Sequence, residues 1–360
     1  MQQNINNRIC LLVDCLATGG AERTAANLSI EFYNLGFQVI IISLLDEVNY
    51  NYKGTLINLG KKRGGNKVIR NIAKGARLSS ILKKQTPDCI IDFRMRNNLV
   101  REFLLYQFIF RNYVMIYRIN SAKVDWHIPK GSFFKKVYSK SNVVAVSKSI
   151  EGALKTTLGF SNVSYIPNFF KKSQNTTFDR PSDVPEEYIL AVGSLRNNIK
   201  QFDKLLDIYA DSKLPEKEIA LVVLGEGEDY ESLQQQIADL NLKEKVLLLG
   251  RKEQIEGYVK RARFLVLSSA LEGFPNVILE SLSLGTPVVS FDCVSGPSEM
   301  IIDKENGLLV QNQDFDELRN AIDLMVEDTN LYLKCKANTD ITLSAFSKEV
   351  VLQKWLEILQ

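Results

Sequence analysis

Short apolar runs of strand length alternate with longer segments of helical periodicity along most of the chain, and this alternation restricts the fold more than any other feature. Arg8 to Val13, Val39 to Leu44, Cys89 to Phe93, Val114 to Ile119 and Val143 to Val146 read as strands. Helical segments lie between them: one ending near Leu35, then Val68 to Lys84, Leu99 to Phe110 and Lys148 to Leu158. Strands that are apolar throughout and separated by helices belong in a parallel sheet covered on both faces, the doubly wound α/β class. Such sheets collect their ligands at the carboxyl ends of the strands.

A second series repeats the pattern. Tyr188 to Val192, Ile219 to Leu224, Val246 to Leu249, Phe264 to Leu267 and Val288 to Phe291 are its strands, with helices at Gln201 to Ala210, Tyr230 to Leu240 and Ile255 to Arg261. At 360 residues the chain exceeds one ordinary domain. The predicted organisation is a first α/β domain over residues 1–170, a linker over 171–187 rich in Lys, Ser, Asp and Pro, and a second α/β domain over 188–346. A final helix within 347–360 is expected to pack back on the first domain.

Charge divides the same way. Residues 1–170 carry a net charge of +14 and the remainder −11, which the overall +3 conceals. Basic clusters at Lys61, Lys62 and Arg63, at Lys67, Arg70, Lys74 and Arg77, and at Lys130, Lys135, Lys136 and Lys140 suit an anionic membrane surface or a phosphorylated acceptor, or form an ordinary solvated face. No recognised nucleic-acid-binding motif accompanies them, so nucleic acid is not an expected partner. The start of the chain lacks the basic and apolar regions of a signal peptide, and the longest apolar stretch, Phe103 to Phe110, is too short to span a bilayer. Five scattered cysteines without a CxxC pair predict reduced thiols and a cytoplasmic protein. A single histidine, His127, disfavours a histidine-built metal site or a Ser-His triad.

The stretch from Phe264 to Met300, FLVLSSALEGFPNVILESLSLGTPVVSFDCVSGPSEM, reads strand, loop, helix, strand. Pro275 and Asn276 open its helix, and Gly285 and Pro287 close it. Glu280 inside the helix, among Val277, Ile278, Leu279 and Leu282, is expected to be half buried and to need partners, which the paired hydroxyls of a ribose could supply. Glu272, Gly273, Phe274, Pro275 and Asn276 precede the helix, where uncapped amides and the positive dipole end favour a phosphate or sugar hydroxyl. The plainer alternative is that Glu272 only complements the dipole and Glu280 lies on an exposed face.

Other glycines stand at strand ends. Gly19 and Gly20 follow the first strand, where backbone could approach a ligand closely or simply turn. Gly193 opens a loop that carries Arg196 and Lys200, two cations available to a diphosphate. Gly225 and Gly227 resemble half of a dinucleotide fingerprint, but Tyr230 occupies the place of its third glycine.

These features occur in one order: GGAER from Gly19, AVSKSI from Ala145, IPN from Ile166, VGSLRNNIK from Val192, VVLGEGE from Val222, LLGRKE from Leu248, SSALEGFPNVILESLSLGTPVVS from Ser268, GPSEMI from Gly296 and NGLLV from Asn306. Together they resemble family 4 of the retaining glycosyltransferases, across nearly the whole chain and most specifically in the E-x7-E element, Glu272 to Glu280. The resemblance implies the GT-B fold, two Rossmann-like domains facing a central cleft. It implies a nucleotide sugar, UDP-linked by expectation, as donor and a growing glycan, lipid-linked by expectation, as acceptor. Glu280 would bind the ribose, and Glu272 with the segment Gly273, Phe274, Pro275 and Asn276 would hold sugar and diphosphate. Lys200 and Arg196 would neutralise the leaving group, with no metal or other cofactor. Gly250 and Arg251 would contact the base, and Gly19, Gly20 and Gly193 the diphosphate. Asn120, or the later His127, would stand where family members carry a donor-contacting histidine. This chain has Gly193, Ser194 and Leu195 where the family often has Gly-Arg-Leu, and one residue more before Lys200. The resemblance further implies surface polysaccharide or lipopolysaccharide assembly at the inner face of the plasma membrane. A sugar-nucleotide epimerase and a non-catalytic partner subunit share the architecture and remain alternatives.

Overall fold

The computed structural model describes residues 7–17, 19–60, 66–170, 178–196 and 199–359, without the side chains of Lys67 and Val68. The basic cluster at Lys61, Lys62 and Arg63, residues 171–177 of the expected linker, and Asn197 and Asn198 before Lys200 lie outside the described residues. The chain divides into two compact units, Met1–Pro167 with Leu352–Gln360, and Asn168–Val351.

The first unit runs β1 (Arg8–Val13), α1 (Gly20–Asn34), β2 (Gln38–Ser43), β3 (Thr55–Asn58), α2 (Lys67–Gln85), β4 (Cys89–Asp92), α3 (Leu99–Phe108), β5 (Met115–Ile119), α4 (Ser132–Tyr138), β6 (Asn142–Ala145), α5 (Lys148–Thr156) and β7 (Val163–Tyr165). Its seven strands are all parallel, in the order β3-β2-β1-β4-β5-β6-β7. Five of the six residues of β1 are buried, as are all four of β4 and all five of β5, because helices cover both faces of a parallel sheet. The edge strands β3 and β7 are short and half-buried, and their sequences carry no long apolar run.

The second unit contains β8 (Tyr188–Val192), α6 (Phe202–Asp211), β9 (Ala220–Leu224), α7 (Tyr230–Asp239), β10 (Val246–Leu248), α8 (Glu256–Arg261), β11 (Leu265–Leu267), α9 (Asn276–Ser283), β12 (Val288–Asp292), α10 (Pro297–Met300), β13 (Gly307–Gln311), α11 (Phe315–Glu327) and α12 (Thr329–Ala337). Its sheet, also parallel, has the order β10-β9-β8-β11-β12-β13. Ile189, Leu221, Val266 and Val289 from the strands meet Leu205, Leu318, Ile322 and Met325 from the helices in one buried cluster. Each such side chain contributes about 1.5 to 3 kcal/mol. Asp314 caps α11 by accepting from Glu317 N at 2.8 Å, and Asp328 caps α12 by accepting from Leu331 N at 2.9 Å.

The last helix, α13 (Lys348–Leu359), starts in the second unit and ends in the first. Trp355 is fully buried within the first unit, with its ring 6.0 Å from that of Phe32 of α1 in an edge-on arrangement. Among the described residues, no helix is long and apolar enough to cross a membrane.

Candidate functional site

In each sheet the strand order reverses direction at one place, and loops leaving neighbouring strands there diverge to leave a crevice. In the second unit this place lies between β8 and β11. The loop after β8 carries Gly193, Arg196 and Lys200, and the loop after β11 carries Glu272. The two loops are stitched together: Ser268 Oγ donates to Lys200 O at 2.7 Å and Ala270 N to Ile199 O at 2.8 Å. That backbone pairing brings Lys200 Nζ into a direct ion pair with Glu272 Oε1, with side chains 22% and 12% exposed. A partly desolvated ion pair at the switch point is the central feature of the site.

Three glycines permit this packing. A Cβ on Gly193 would stand 3.0, 3.1 and 3.2 Å from the Cε, Cγ and Cδ atoms of Lys200, so the glycine leaves the lysine its channel. A Cβ on Gly225 would collide with the Gly193 carbonyl oxygen, and one on Gly227 with that of Leu195. Backbone bonds from Gly193 N to Leu224 O and from Leu195 N to Glu226 O, both 3.0 Å, run through the same contact. The Gly225-Glu226-Gly227 sequence is therefore a packing device that seats the β8 loop, and the resemblance to half of a dinucleotide fingerprint has this physical cause.

The loop before α9 is held from below. Ser295 Oγ donates to Gly273 O at 2.7 Å, the buried Phe274 ring lies 5.6 Å from that of Phe346, and Asn276 Oδ1 accepts from Asn168 Nδ2 at 2.6 Å. Pro275 occupies the N-cap position and no side chain caps the helix. The positive end of α9 is thus presented beside Glu272 without an internal carboxylate or hydroxyl cap. Glu280 is half-buried on the same helix, one turn beyond Asn276 and on the same face.

Gly250, in the left-handed region at φ +68°, accepts from Gly225 N at 2.9 Å, which ties its loop to the one that seats Gly193. The neighbouring Arg251 pairs with Glu226 at 3.2 Å. Arg196 is exposed, and with Ser194, Lys200, Asp203, Asp229 and Ser232 it lines a polar cavity of about 320 Å³ beside the start of α6.

The remaining candidates lie in the first unit. Gly19 and Gly20 are exposed at the start of α1, with Gly19 at φ +96° and its Cα face occupied by the Glu22 carboxylate. Burial pushes the Glu22 carboxyl up to about 7, with the Asp14 charge adding to the rise. Asn120 accepts from Arg118 and donates to Phe93 O at 3.3 Å. His127 is 3% exposed with Nδ1 at 3.3 Å from Arg94 O, and burial, helped by Arg96, holds its pKa down at about 3. It is a buried core residue, whereas Asn120 is half-buried.

Around them stands a network that the sequence reading missed. Arg94 chelates Asp92 through Nε and Nη2 at 2.9 and 2.8 Å and reaches Glu102 at 3.1 Å. Arg96 donates to the carbonyls of His127, Asp92, Arg94 and Arg118 at 2.8 to 3.0 Å. Burial would raise the Asp92 carboxyl, but the Arg94 and Arg96 guanidiniums reverse this and hold it below the usual carboxylate range. Arg118 is pushed down to about 9 by burial. The signal was the charged run Asp92, Arg94, Arg96 that starts on the last residue of a buried strand. Among the described residues no group of three or more His, Cys, Asp or Glu side chains is arranged to hold a metal ion.

The second unit can now be compared with known proteins. Residues 172–341 match the family of group 1 glycosyl transferases. The chain carries a group 1 glycosyl transferase domain. Relatives of this domain extend the match: the chain is 35% identical over 176 residues to an N-acetylgalactosaminyltransferase of Campylobacter jejuni that acts on a diphospho-undecaprenol-linked sugar, covering 49% of this chain and 47% of that protein. It is 22% identical over 365 residues to the amylovoran biosynthesis glycosyltransferase AmsD of Erwinia amylovora, covering 98% and 99%. The chain thus spans about half the length of the first relative and nearly all of the second. A point mutant of S. aureus TarM, solved with fondaparinux, α-GlcNAc-glycerol and UDP, superposes with a TM-score of 0.80 at 15% identity over 98% of this chain and 100% of that one. At this identity the likeness establishes the fold, which is GT-B, with two Rossmann-like α/β units.

Proposed function

We infer that the chain is a retaining, metal-independent glycosyltransferase that moves a hexose or N-acetylhexosamine from a UDP-linked donor to a growing, lipid-linked glycan in surface polysaccharide or lipopolysaccharide assembly. The Lys200–Glu272 ion pair at the switch point of the group 1 domain carries this reading. When the bond between the anomeric carbon and the diphosphate oxygen breaks, negative charge grows on the departing nucleoside diphosphate. Lys200, held by Glu272, and the uncapped start of α9 are fixed positive groups that stabilise this charge without reorganisation, and Arg196 adds an exposed cation beside them. Glu272 orients Lys200 and accepts donor-sugar hydroxyls, Glu280 takes the ribose hydroxyls, and the loop at Gly250 and Arg251 meets the base. Gly193 and the N–H groups of Gly273, Phe274 and Asn276 complete the cradle, with Pro275 opening the helix between them. The roles of Gly19, Gly20 and Asn120 rest on the family resemblance alone. The acceptor oxygen joins the anomeric carbon on the face from which the diphosphate leaves, and its proton passes to the departing phosphate oxygen, so configuration is kept.

The relatives named above support a polysaccharide setting, and the UDP in the TarM complex supports the base. The test is to incubate the protein with a panel of UDP-sugars and lipid-linked acceptors in chelator and to assign the product anomer by NMR. An α-linked product from an α-linked donor is expected. Conversion of the donor to its epimer without acceptor would establish an epimerase instead, and an inverted product would remove the retaining assignment.

A further inference from the structure

A helix on the surface of a globular unit turns its apolar face inward and its charges outward. Helix α3 does the reverse. Of its ten residues, LVREFLLYQF, only Glu102 is buried, and its carboxylate accepts from Arg94 Nη2 at 3.1 Å and Arg101 Nε at 2.7 Å. Leu99, Val100, Phe103, Leu104 and Phe108 are exposed, Val100 by 69% and Phe108 by 74%. The helical period sets Val100, Leu104 and Phe108 in one row and Leu99 with Phe103 in the next, so the exposed side chains form one face. The helix is anchored through charge and capped by Asn98, which accepts from Arg101 N at 2.9 Å.

The border of this face is cationic. The rings of Phe103 and Tyr106 lie 4.9 and 5.7 Å from that of Phe133 in α4, which places α4 alongside. Lys135 and Lys136 on α4, Lys130 before it, Lys140 after it and Arg111 beyond α3 are all exposed or partly so. Between residues 95 and 141 there are only two acids, Glu102 and Asp125; the first is buried and the second pairs with Lys130 at 2.8 Å. An apolar face beside a cluster in which cations outnumber acids matches the boundary between acyl chains and anionic headgroups of a lipid bilayer.

We propose that α3, with the lysines of α4, docks the first unit on an anionic lipid bilayer, with Val100, Leu104 and Phe108 immersed at the headgroup boundary and Lys135 and Lys136 against lipid phosphates. This surface belongs to the first unit and the donor site to the second, so it stands whether or not the transferase reading does.

The experiment is flotation of the full chain with phosphatidylcholine vesicles, with and without phosphatidylglycerol, alongside calorimetric titration with UDP. Wild type is expected to float with the anionic vesicles only. The triple variant Val100→Ser, Leu104→Ser, Phe108→Ser should lose about tenfold or more in partitioning while it keeps the far-UV circular dichroism and the melting transition of wild type, which shows that the first unit is folded. The pair Lys135→Glu, Lys136→Glu should weaken flotation and flatten its salt dependence. Equal flotation of wild type and the triple variant, or absence of wild-type flotation at low salt, overturns the proposal. A dimer in sedimentation that the triple variant splits, without lipid binding by wild type, assigns the face to a second copy of the chain instead. Loss of UDP binding in wild type itself would count against the donor site and leave the lipid result intact.

Discussion

Replacing Gly193 by alanine separates the position of Lys200 from the stability of the unit. The added Cβ would lie 3.0 to 3.2 Å from three methylenes of the Lys200 side chain, a few tenths of an ångström inside ordinary contact. Gly193 is not at positive φ, so the backbone accepts alanine. The obstructing atoms belong to a flexible side chain, so the cost in folding is about 1 kcal/mol, or about 2 to 4 °C in Tm. Relief comes from moving Lys200, whose Nζ is held by Glu272 and whose carbonyl is held by Ser268 at 2.7 Å. The ammonium must then shift relative to the departing diphosphate, and a displacement of this order costs about tenfold in turnover. The assay is initial-rate transfer with a saturating donor, beside a melting curve for each protein. Turnover within twofold of wild type in a folded Gly193→Ala protein would refute the claim that the placement of Lys200 sets the rate.

Gly225→Ala meets backbone, the Gly193 carbonyl oxygen, instead of a side chain, and should cost about 2 to 4 kcal/mol in denaturant unfolding; a loss under about 1 kcal/mol would contradict the packing argument. For the ion pair, a double-mutant cycle with Lys200→Met and Glu272→Gln should return a coupling of about 1 to 2 kcal/mol in stability, since both side chains are largely but not fully buried, and additive effects would remove the pair from the account. His127 is neutral in the native state down to about pH 3, whereas an unfolded histidine takes up a proton near pH 6.5. The unfolded chain therefore binds the extra proton between these values, so native stability falls as pH drops from about 6.5 toward 3. His127→Asn should make the dependence of unfolding free energy on pH shallower between about pH 4 and 6, by up to about 1.4 kcal/mol per unit, and an unchanged slope would place His127 in solvent.

The fold was legible because strands in a covered parallel sheet are mostly apolar on both sides, as in β1 and β8. The edge strands β3 and β7 escaped the same reasoning, since one flank faces solvent and the run shortens to four and three residues. The helical segment expected over Leu99 to Phe110 exists as α3, ending at Phe108, but its pattern does not say which face points inward, and the charge that pulls Glu102 inside comes from Arg94, before the helix. Charged residues are read as surface, so Arg94, Arg96 and Arg118 were overlooked. Asp92, Glu102 and backbone carbonyls meet most of the donors of Arg94 and Arg96, and Arg118 donates to Asn120. The spacing of Glu272 and Glu280 on one loop and helix was visible locally. The partner of Glu272, Lys200, lies 72 residues away, and only the strand order between β8 and β11 brings the two together.

The central claim is that the carboxyl end of the second sheet binds a nucleoside diphosphate through Glu280 and the Lys200–Glu272 pair. Calorimetric titration of the full chain with UDP, GDP and ADP, in chelator, for wild type and Glu280→Ala tests it most directly. The account predicts that wild type binds UDP in preference to the others and that Glu280→Ala weakens this by about 2 to 4 kcal/mol, the loss of two hydrogen bonds to a charged group. Equal UDP affinity in the two proteins, or no binding of any nucleotide by wild type, would contradict it.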